Sequence, residues 1–314
     1  MYDICAFGDA LIDMFHGDGE NTFLANCGGT ALNMIVCATR LGLKTTFISK
    51  IGEDVMGKRI ENSLFENGVD LTGMKKDASF FTTMTFVELN QGERNFSFAR
   101  QHGADSMIYP EDIDEHVINE SEIFHYSGMM LTNEPVRSTT FWILKKMHEK
   151  GKVICTDISY REKLWENEEK AIEVYREALP YTDLVKASDE EAFLVSGKDN
   201  LEEAARFFIE NGCKICIITC GKEGAFWYMD GECGLVPTFS VKVVDTTGAG
   251  DAFWAGFLYQ VIKAGGLHEI TAQKLPDMVK FGNAVGALNV MHKGGIYGAP
   301  QLKDVEKLLA DNKK

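Results

Sequence analysis

The stretch VVDTTGAGDAFWAGF, Val243 to Phe257, gathers the residue types that phosphoryl transfer needs. Two threonines and two glycines lead straight into an apolar helical run. The amides of Gly248, Ala249, Gly250 and Asp251 are thereby left uncovered at the positive end of a helix dipole. Such a turn can hold a phosphoryl group and the charge that builds on it during transfer. Asp251 sits in the same turn, where its carboxylate could take the proton of an attacking hydroxyl. Equally, an aspartate here could simply cap a helix that follows a glycine turn. A second stretch, GEDVMGKR from Gly52 to Arg59, comes within one residue of the phosphate-cradling pattern G-x-x-x-x-G-K-[ST]. Arg59 stands where the metal-binding hydroxyl belongs, and Glu53 and Asp54 would repel a phosphate. The plainer expectation is a strand, TTFISKI, entering a turn whose Asp54 caps the next helix.

A frame for these residues is written along the chain. Short apolar runs (YDICAFG, TTFISKI, VICTDIS, DLVKAS, ICIITCG) alternate with longer amphipathic stretches, which predicts βα units and a parallel sheet covered on both faces. Helices are expected over Thr30 to Leu41, Val55 to Asn67, Val136 to Lys150, Glu168 to Ala178, Leu201 to Asn211 and Ala252 to Ala264. The segment SFFTTMTFVELNQGERNFSFAR, Ser79 to Arg100, breaks the rhythm by alternating apolar and polar residues around a glycine turn. It reads as a β-hairpin, and a hairpin inserted in a doubly wound domain is a candidate lid. No repeat, low-complexity tract or linker interrupts the chain. A single domain over 1–314 is expected, with lid strands from about 11–27 and 79–101.

Composition narrows the function classes. The 314 residues, 45% of them hydrophobic, suffice for a large core. A net charge of −15 offers no basic surface to nucleic acid or to an anionic membrane. The opening MYDICAFGDALID places Asp3, Asp9 and Asp13 where a secretory signal would be basic, and no apolar run reaches membrane length, so a cytoplasmic setting is expected. Asn95-Phe96-Ser97 fits a glycosylation acceptor, which has no meaning without a secretory route. Eight cysteines include the pair Cys213 and Cys216 in CKICIITCG, but strand residues three apart point to opposite faces and cannot share a zinc. Reduced, buried thiols are expected. The seven histidines show no ligand spacing. A nicotinamide site is disfavoured because AFGDALID carries a single glycine after the first strand.

DTTGAGDAF resembles the C-terminal signature of the PfkB, or ribokinase-like, family of sugar kinases, and NCGGTALNMIVCATRLG resembles the N-terminal one. The resemblance runs on through GDALID, GEDVMG, ITCGKEG and FGNAVGALNVMHKGG, covering nearly the whole chain in the family's order. It implies an α/β fold of ribokinase-like type, a doubly wound, mostly parallel sheet with helices on both faces and a small β-hairpin lid. It also implies an ATP-dependent kinase acting on a primary hydroxyl of a monosaccharide. GEDVMG then corresponds to the family's structural turn beside the sugar.

Carried onto this chain, the resemblance implies Asp251 as catalytic base and Gly248, Ala249 and Gly250 as the anion hole. Asp13, Gly28, Gly29 and Asn33 would grip sugar hydroxyls. In the hairpin, Phe96, Phe98 and Arg100 share one face by period two and would cover the sugar, or else form an ordinary packed sheet face. Thr219, Gly221, Gly224, Asn283 and Ala287 would line the adenosine pocket. The family's N-x-x-E motif, which organises Mg²⁺ through water, is matched by Ser188 to Glu191, with Ser188 replacing Asn and Glu191 keeping the carboxylate. In DISYREKLW, Ser159 stands at another family Asn position and Arg161 keeps a cation near the phosphate or sugar. Asp245 and the carbonyl of Thr247 resemble the ligands of a monovalent cation such as K⁺, although Asp245 could instead cap its turn. GERNFSFARQHGAD, IFHYSG, EPVRS and KASDEE are most similar to fructokinases, whereas YRxxLW, Arg161 to Trp165, favours a 2-keto-3-deoxygluconate kinase. A ribose or nucleoside kinase and a catalytically silent sugar or nucleotide sensor complete the alternatives. The projecting hairpin, with its apolar faces, invites a homodimer.

Overall fold

Each apolar run becomes a strand buried on both faces. Tyr2–Phe7 (β1) is wholly buried over its last four residues and Thr45–Gly52 (β4) along its entire length, as the interior strands of a parallel sheet must be. The computed structural model describes residues 1–17, 19, 21–90 and 93–312, the side chains of 88–90 and 93–96 excepted. The remaining strands are Leu11–His16 (β2), Phe23–Gly28 (β3), Met74–Asp77 (β5), Thr83–Asn90 (β6), Glu93–Ala99 (β7), Ser121–Ser127 (β8), Val153–Asp157 (β9), Leu184–Ser188 (β10), Ile215–Thr219 (β11), Ala225–Met229 (β12) and Glu232–Val236 (β13).

Among the described residues a nine-stranded sheet runs in the order β13-β12-β11-β10-β9-β8-β1-β4-β5, parallel from β5 to β11 and antiparallel at β12 and β13. Helices Thr30–Arg40, Ala249–Lys263 and Leu275–Asn289 pack one apolar cluster against the sheet. Val136–Glu149, Glu168–Ala178 and Leu201–Glu210 close the other face. The chain leaves β1 in both directions, toward β4 and toward β8, so the crevice beyond the carboxyl ends of these strands is where an α/β sheet binds ligands.

A second, four-stranded sheet in the order β3-β2-β6-β7 projects from that rim. It contains the expected hairpin, β6 against β7 with Thr85 opposite Phe98, joined by a parallel β2–β6 pairing to a second hairpin, β2–β3. The turn after β4 anchors it. Asp54 caps the helix Val55–Glu66 through Gly57 N–H at 2.8 Å, as expected, and its other oxygen accepts from Thr82 N at 2.8 Å. Thr82 Oγ1 accepts from Gly52 N at 3.0 Å, so the turn ties β4 to the start of β6.

Two details depart from expectation. Cys213 lies before β11 begins, and it shares one apolar cluster with Cys216 instead of facing away from it, because alternation holds only within a strand. β5, β8, β12 and β13 also join the main sheet beside the five runs named from the sequence. All eight cysteines are free thiols, and among the described residues no helix is long and apolar enough to cross a membrane.

Candidate active site

Two cavities meet at the amino end of the helix Ala249–Lys263. The first, about 500 Å³, lies between the main sheet and the four-stranded sheet, and the second, about 540 Å³, lies beyond β11. Thr219, Gly221, Thr246, Ala249 and Gly250 line both. A ligand in each would therefore abut across the glycine turn.

No side chain caps this helix, and its N-cap Gly248 has a left-handed φ of 77°. A Cβ there would lie 2.6 Å from the Cα of Gly295, so only glycine lets the two loops touch. Ala249 N–H reaches back to Thr246 O at 3.3 Å, whereas those of Gly250 and Asp251 have no acceptor among the described residues. The donors available to an anion are thus mainly Gly250 and Asp251, with Ala249 partly engaged.

Asp251 opens on the first cavity. Asn33 Nδ2 donates to its Oδ2 at 2.9 Å. Burial pushes the carboxyl up to about 7, reinforced by the charge of Asp157 and opposed by Lys186, Arg161 and the Asn33 hydrogen bond. A carboxylate that changes protonation near neutrality is suited to general-base work.

Most residues expected on the sugar side converge here. Asp13, Gly29, Asn33, Phe98 and Arg161 line the first cavity. Gly28 makes room for one of them, since a Cβ on it would lie 2.2 Å from Asp13 Oδ2. Gly29, with φ of 123°, presses on the Asp9 carbonyl, and Asp9 Oδ2 accepts from Thr30 N at 3.0 Å. Arg100 differs. It follows the last residue of β7, where alternation ends, and its buried guanidinium turns to Asp105 (3.1 Å) and Thr132 Oγ1 (2.7 Å) instead of lining the cavity. The side chain of Phe96 falls outside the described residues.

Thr219, Gly221, Gly224, Asn283 and Ala287 all line the second cavity, together with Val243, Phe253 and Val290. Asn283 Nδ2 donates to Val236 O at 2.9 Å, holding the end of β13 against the pocket. Ser188 and Glu191 line the first cavity. Ser188 Oγ accepts from Glu191 N at 3.1 Å, and Glu191 answers by accepting from Ser188 N at 2.8 Å and Tyr160 N at 2.9 Å. A serine thus serves the capping box as well as the family's asparagine would. Asp245 Oδ1 accepts from Thr247 N (2.9 Å) and Thr247 Oγ1 (2.8 Å), and Oδ2 accepts from Gly294 N (2.9 Å), which is the turn-capping geometry. Among the described residues no three His, Cys, Asp or Glu side chains cluster as a metal site.

Sequence reasoning passed over Lys186. It is buried near the end of β10 and its Nζ stands 3.2 Å from where a Cβ on Gly250 would be, which aims an ammonium at the junction of the cavities. A lysine inside the apolar run DLVKAS was the available signal. Asp157, paired with Lys186 in the β9–β10 register, was passed over likewise. Burial alone would raise its carboxyl, but the adjacent His125 imidazole, the charge of Lys186 and the hydrogen bond from Ser159 bring it down to about 2.

The pfkB family carbohydrate kinase profile matches residues 1–302. Probable fructokinase-5 of Arabidopsis thaliana is 34% identical over 99% of this chain and 98% of its own length. A fructokinase from Xylella fastidiosa solved with bound ATP superposes with a TM-score of 0.93 at 28% identity, covering 100% of both chains. A fructokinase double mutant from Vibrio cholerae O395, solved with fructose, ADP and a potassium ion, gives 0.90 at 29% identity over 98% of both chains. The fold is ribokinase-like, and this chain belongs to the pfkB family of carbohydrate kinases.

Proposed function

We infer that the chain is an ATP-dependent fructokinase that moves the γ-phosphoryl group of ATP to a primary hydroxyl of fructose. The observation that carries it is the placement of Asp251, with its raised carboxyl, at the amino end of an uncapped helix where the two cavities join. Fructose fits the first cavity, where Asp13 and Asn33 can accept from and donate to sugar hydroxyls and Phe98 supplies an apolar cover. The nucleotide fits the second, where a Cβ on Gly221 would project into open space and apolar Phe253, Val243 and Val290 can pack on a base. Asp251 takes the proton of the attacking hydroxyl, the amides of Gly250 and Asp251 receive the phosphoryl oxygens, and Lys186 and Arg161 offset the negative charge.

Mg²⁺ supplies charge neutralisation of the phosphates when bound. Glu191 suits its water-mediated retention, because each oxygen already accepting a backbone N–H keeps lone-pair capacity. Asp245 and the Thr247 carbonyl are the proposed K⁺ ligands, and equal rates with choline in place of potassium would leave Asp245 as a turn cap alone. The chain is one kinase domain whose four-stranded sheet acts as the lid. A second copy would pack on that lid through β3, where Phe23 and Leu24 are exposed. A cytoplasmic setting supplies ATP and keeps the free thiols reduced. The test is a panel of monosaccharides assayed for ATP consumption. Fructose should give the highest kcat/KM, and no turnover of fructose by the purified protein would sink the proposal.

A further inference from the structure

His125 lies in the middle of β8 and is wholly buried, yet no step of the transfer uses it. Its surroundings are not those of an idle core histidine. Trp254 Nε1–H donates to its Nδ1 at 3.4 Å, and the Cys155 thiol lies 3.5 Å from the same nitrogen. With Nδ1 accepting, the ring proton sits on Nε2. Nε2 stands 3.3 Å from Asp157 Oδ1, a charge contact outside hydrogen-bond geometry, and both atoms are buried without a hydrogen-bond partner among the described residues, so the imidazole is the nearest group that can answer this carboxylate oxygen.

Both ends of this chain reach the site. Trp254 is three residues beyond Asp251 on the same helix, one turn away. Asp157 Oδ2 accepts from Ser159 Oγ, and Ser159 holds a left-handed φ of 49° in the cavity wall. A residue other than glycine keeps such a backbone only where its neighbours fix it. Asp157 is also the register partner of Lys186, whose carbonyl accepts from Ile158 N at 3.0 Å. A buried line of contacts therefore runs from the helix of the base, through one imidazole, to Asp157 and Ser159 on the opposite wall, where the strand of Lys186 lies alongside.

We propose that His125 is a positioning residue of the transfer site, holding Asp157 and, through it, Ser159 and Lys186 in place against the helix that carries Asp251. The proposal rests on Asp251 being the base. Without the imidazole, the buried Asp157 carboxylate loses a neighbour that favours its charge and shifts toward the protonated form. Asp251 would then lose the influence of one negative charge. The groups facing Asp251 are Asn33 and Cys37 from the helix Thr30–Arg40, Lys186 from β10, Asp157 from β9 and Arg161 from the loop after it. Those facing Asp157 are His125 from β8, Lys186 from β10, Cys155 and Ser159 from its own segment, Tyr175 from the helix Glu168–Ala178, Asp251 and, after β1, Asp9. Of these, only the state of Asp157 changes directly, so the acidic limb of the kcat–pH profile moves to lower pH.

The test compares wild type with His125→Leu, which removes the donor, and His125→Gln, whose amide N–H can reach Asp157 in its stead. All three are assayed with the sugar the wild type phosphorylates best, so that a wrong sugar assignment shows in the wild type and leaves the comparison intact. His125→Leu should lower kcat about tenfold or more with each KM within about twofold, and should displace the acidic limb downward by about half a pH unit. His125→Gln should restore both. An unmoved limb in His125→Leu, or a glutamine variant as impaired as the leucine one, would make His125 a packing residue only and overturn the proposal. Should His125→Leu fail to fold, Trp254→Phe keeps the aromatic bulk and removes only the donor to Nδ1. Its limb must move in the same direction, and an unmoved one overturns the proposal equally.

Discussion

Asn33 Nδ2 donates to Asp251 Oδ2 across 2.9 Å, so a residue expected to hold the sugar is, in this structure, hydrogen-bonded to the base. The bond joins the amino ends of two helices, Thr30–Arg40 and Ala249–Lys263. It favours the ionised carboxylate and so works against the burial that raises Asp251. Asn33→Ala should therefore shift the acidic limb of kcat to higher pH and lower turnover at neutral pH by about tenfold. A pH–rate profile that keeps its acidic limb would show that Asn33 does not tune the base.

Removing the carboxylate itself has a larger effect. Asp251→Asn keeps the shape of the turn and can still meet Asn33 by rotating an amide, but it cannot take a proton. Turnover should fall by about two to four orders of magnitude, the usual loss for a general base. Nucleotide binding, measured by calorimetry, should stay close to wild type because the second cavity is untouched. Near-normal turnover would reassign Asp251 to capping the helix.

The same substitution should stabilise the fold at high pH. Folding raises the Asp251 carboxyl from 3.8 to about 7, so the folded state prefers the protonated form. Its stabilising contribution is complete below the unfolded value and is lost as pH rises through about 7. Above that pH the wild type keeps a charge in an unfavourable place, and the asparagine variant does not. Asp251→Asn should be more stable by about 1–3 kcal/mol near pH 8 and about equal near pH 4, in denaturant titrations. Equal stability at both pH values would mean that solvent reaches the carboxylate freely.

Parts of this site were legible in the sequence for clear reasons. Glycine punctuation marked the turn before Asp251, and period-two alternation marked the hairpin, because both are local. β8 was not, since its run SEIFHYS mixes polar groups whose partners lie far along the chain. His125 meets Trp254, and Ser127 Oγ meets Thr30 Oγ1 at 2.7 Å. Lys186 looked like one residue of a strand until the fold set it opposite Gly250. Alternation placed Arg100 over the sugar, but the strand ends at Ala99 and an ion pair with Asp105 decides where the guanidinium goes.

Gly29 tests the backbone beneath the sugar site. Its φ of 123° is a region that side-chain-bearing residues avoid, and a Cβ would stand 2.2 Å from the Asp9 carbonyl oxygen. That obstacle is backbone and cannot rotate away. Gly29→Ala should lower stability by at least about 2 kcal/mol in chemical denaturation. A loss below about half of that would show that the loop after β1 yields easily.

Choice of sugar is decided by charge on the cavity wall. A 2-keto-3-deoxygluconate kinase must receive a carboxylate, and the cations near this cavity are already engaged. Arg100 is held by Asp105, Lys186 faces the glycine turn, and Arg161, whose Nη1 donates to Tyr160 O at 2.8 Å, lies on the side where Asp251 feels its charge. Asp13 lines the opposite wall and would repel an acid. A neutral ketose meets no such penalty and can use the same carboxylate as an acceptor for its hydroxyls. Fructose should therefore exceed the keto-acid in kcat/KM by at least about tenfold, or about 1.4 kcal/mol of transition-state stabilisation. Both sugars measured side by side decide it, and a preference for the acid would mean that Arg161 is directed at the substrate carboxylate and not at the phosphoryl group.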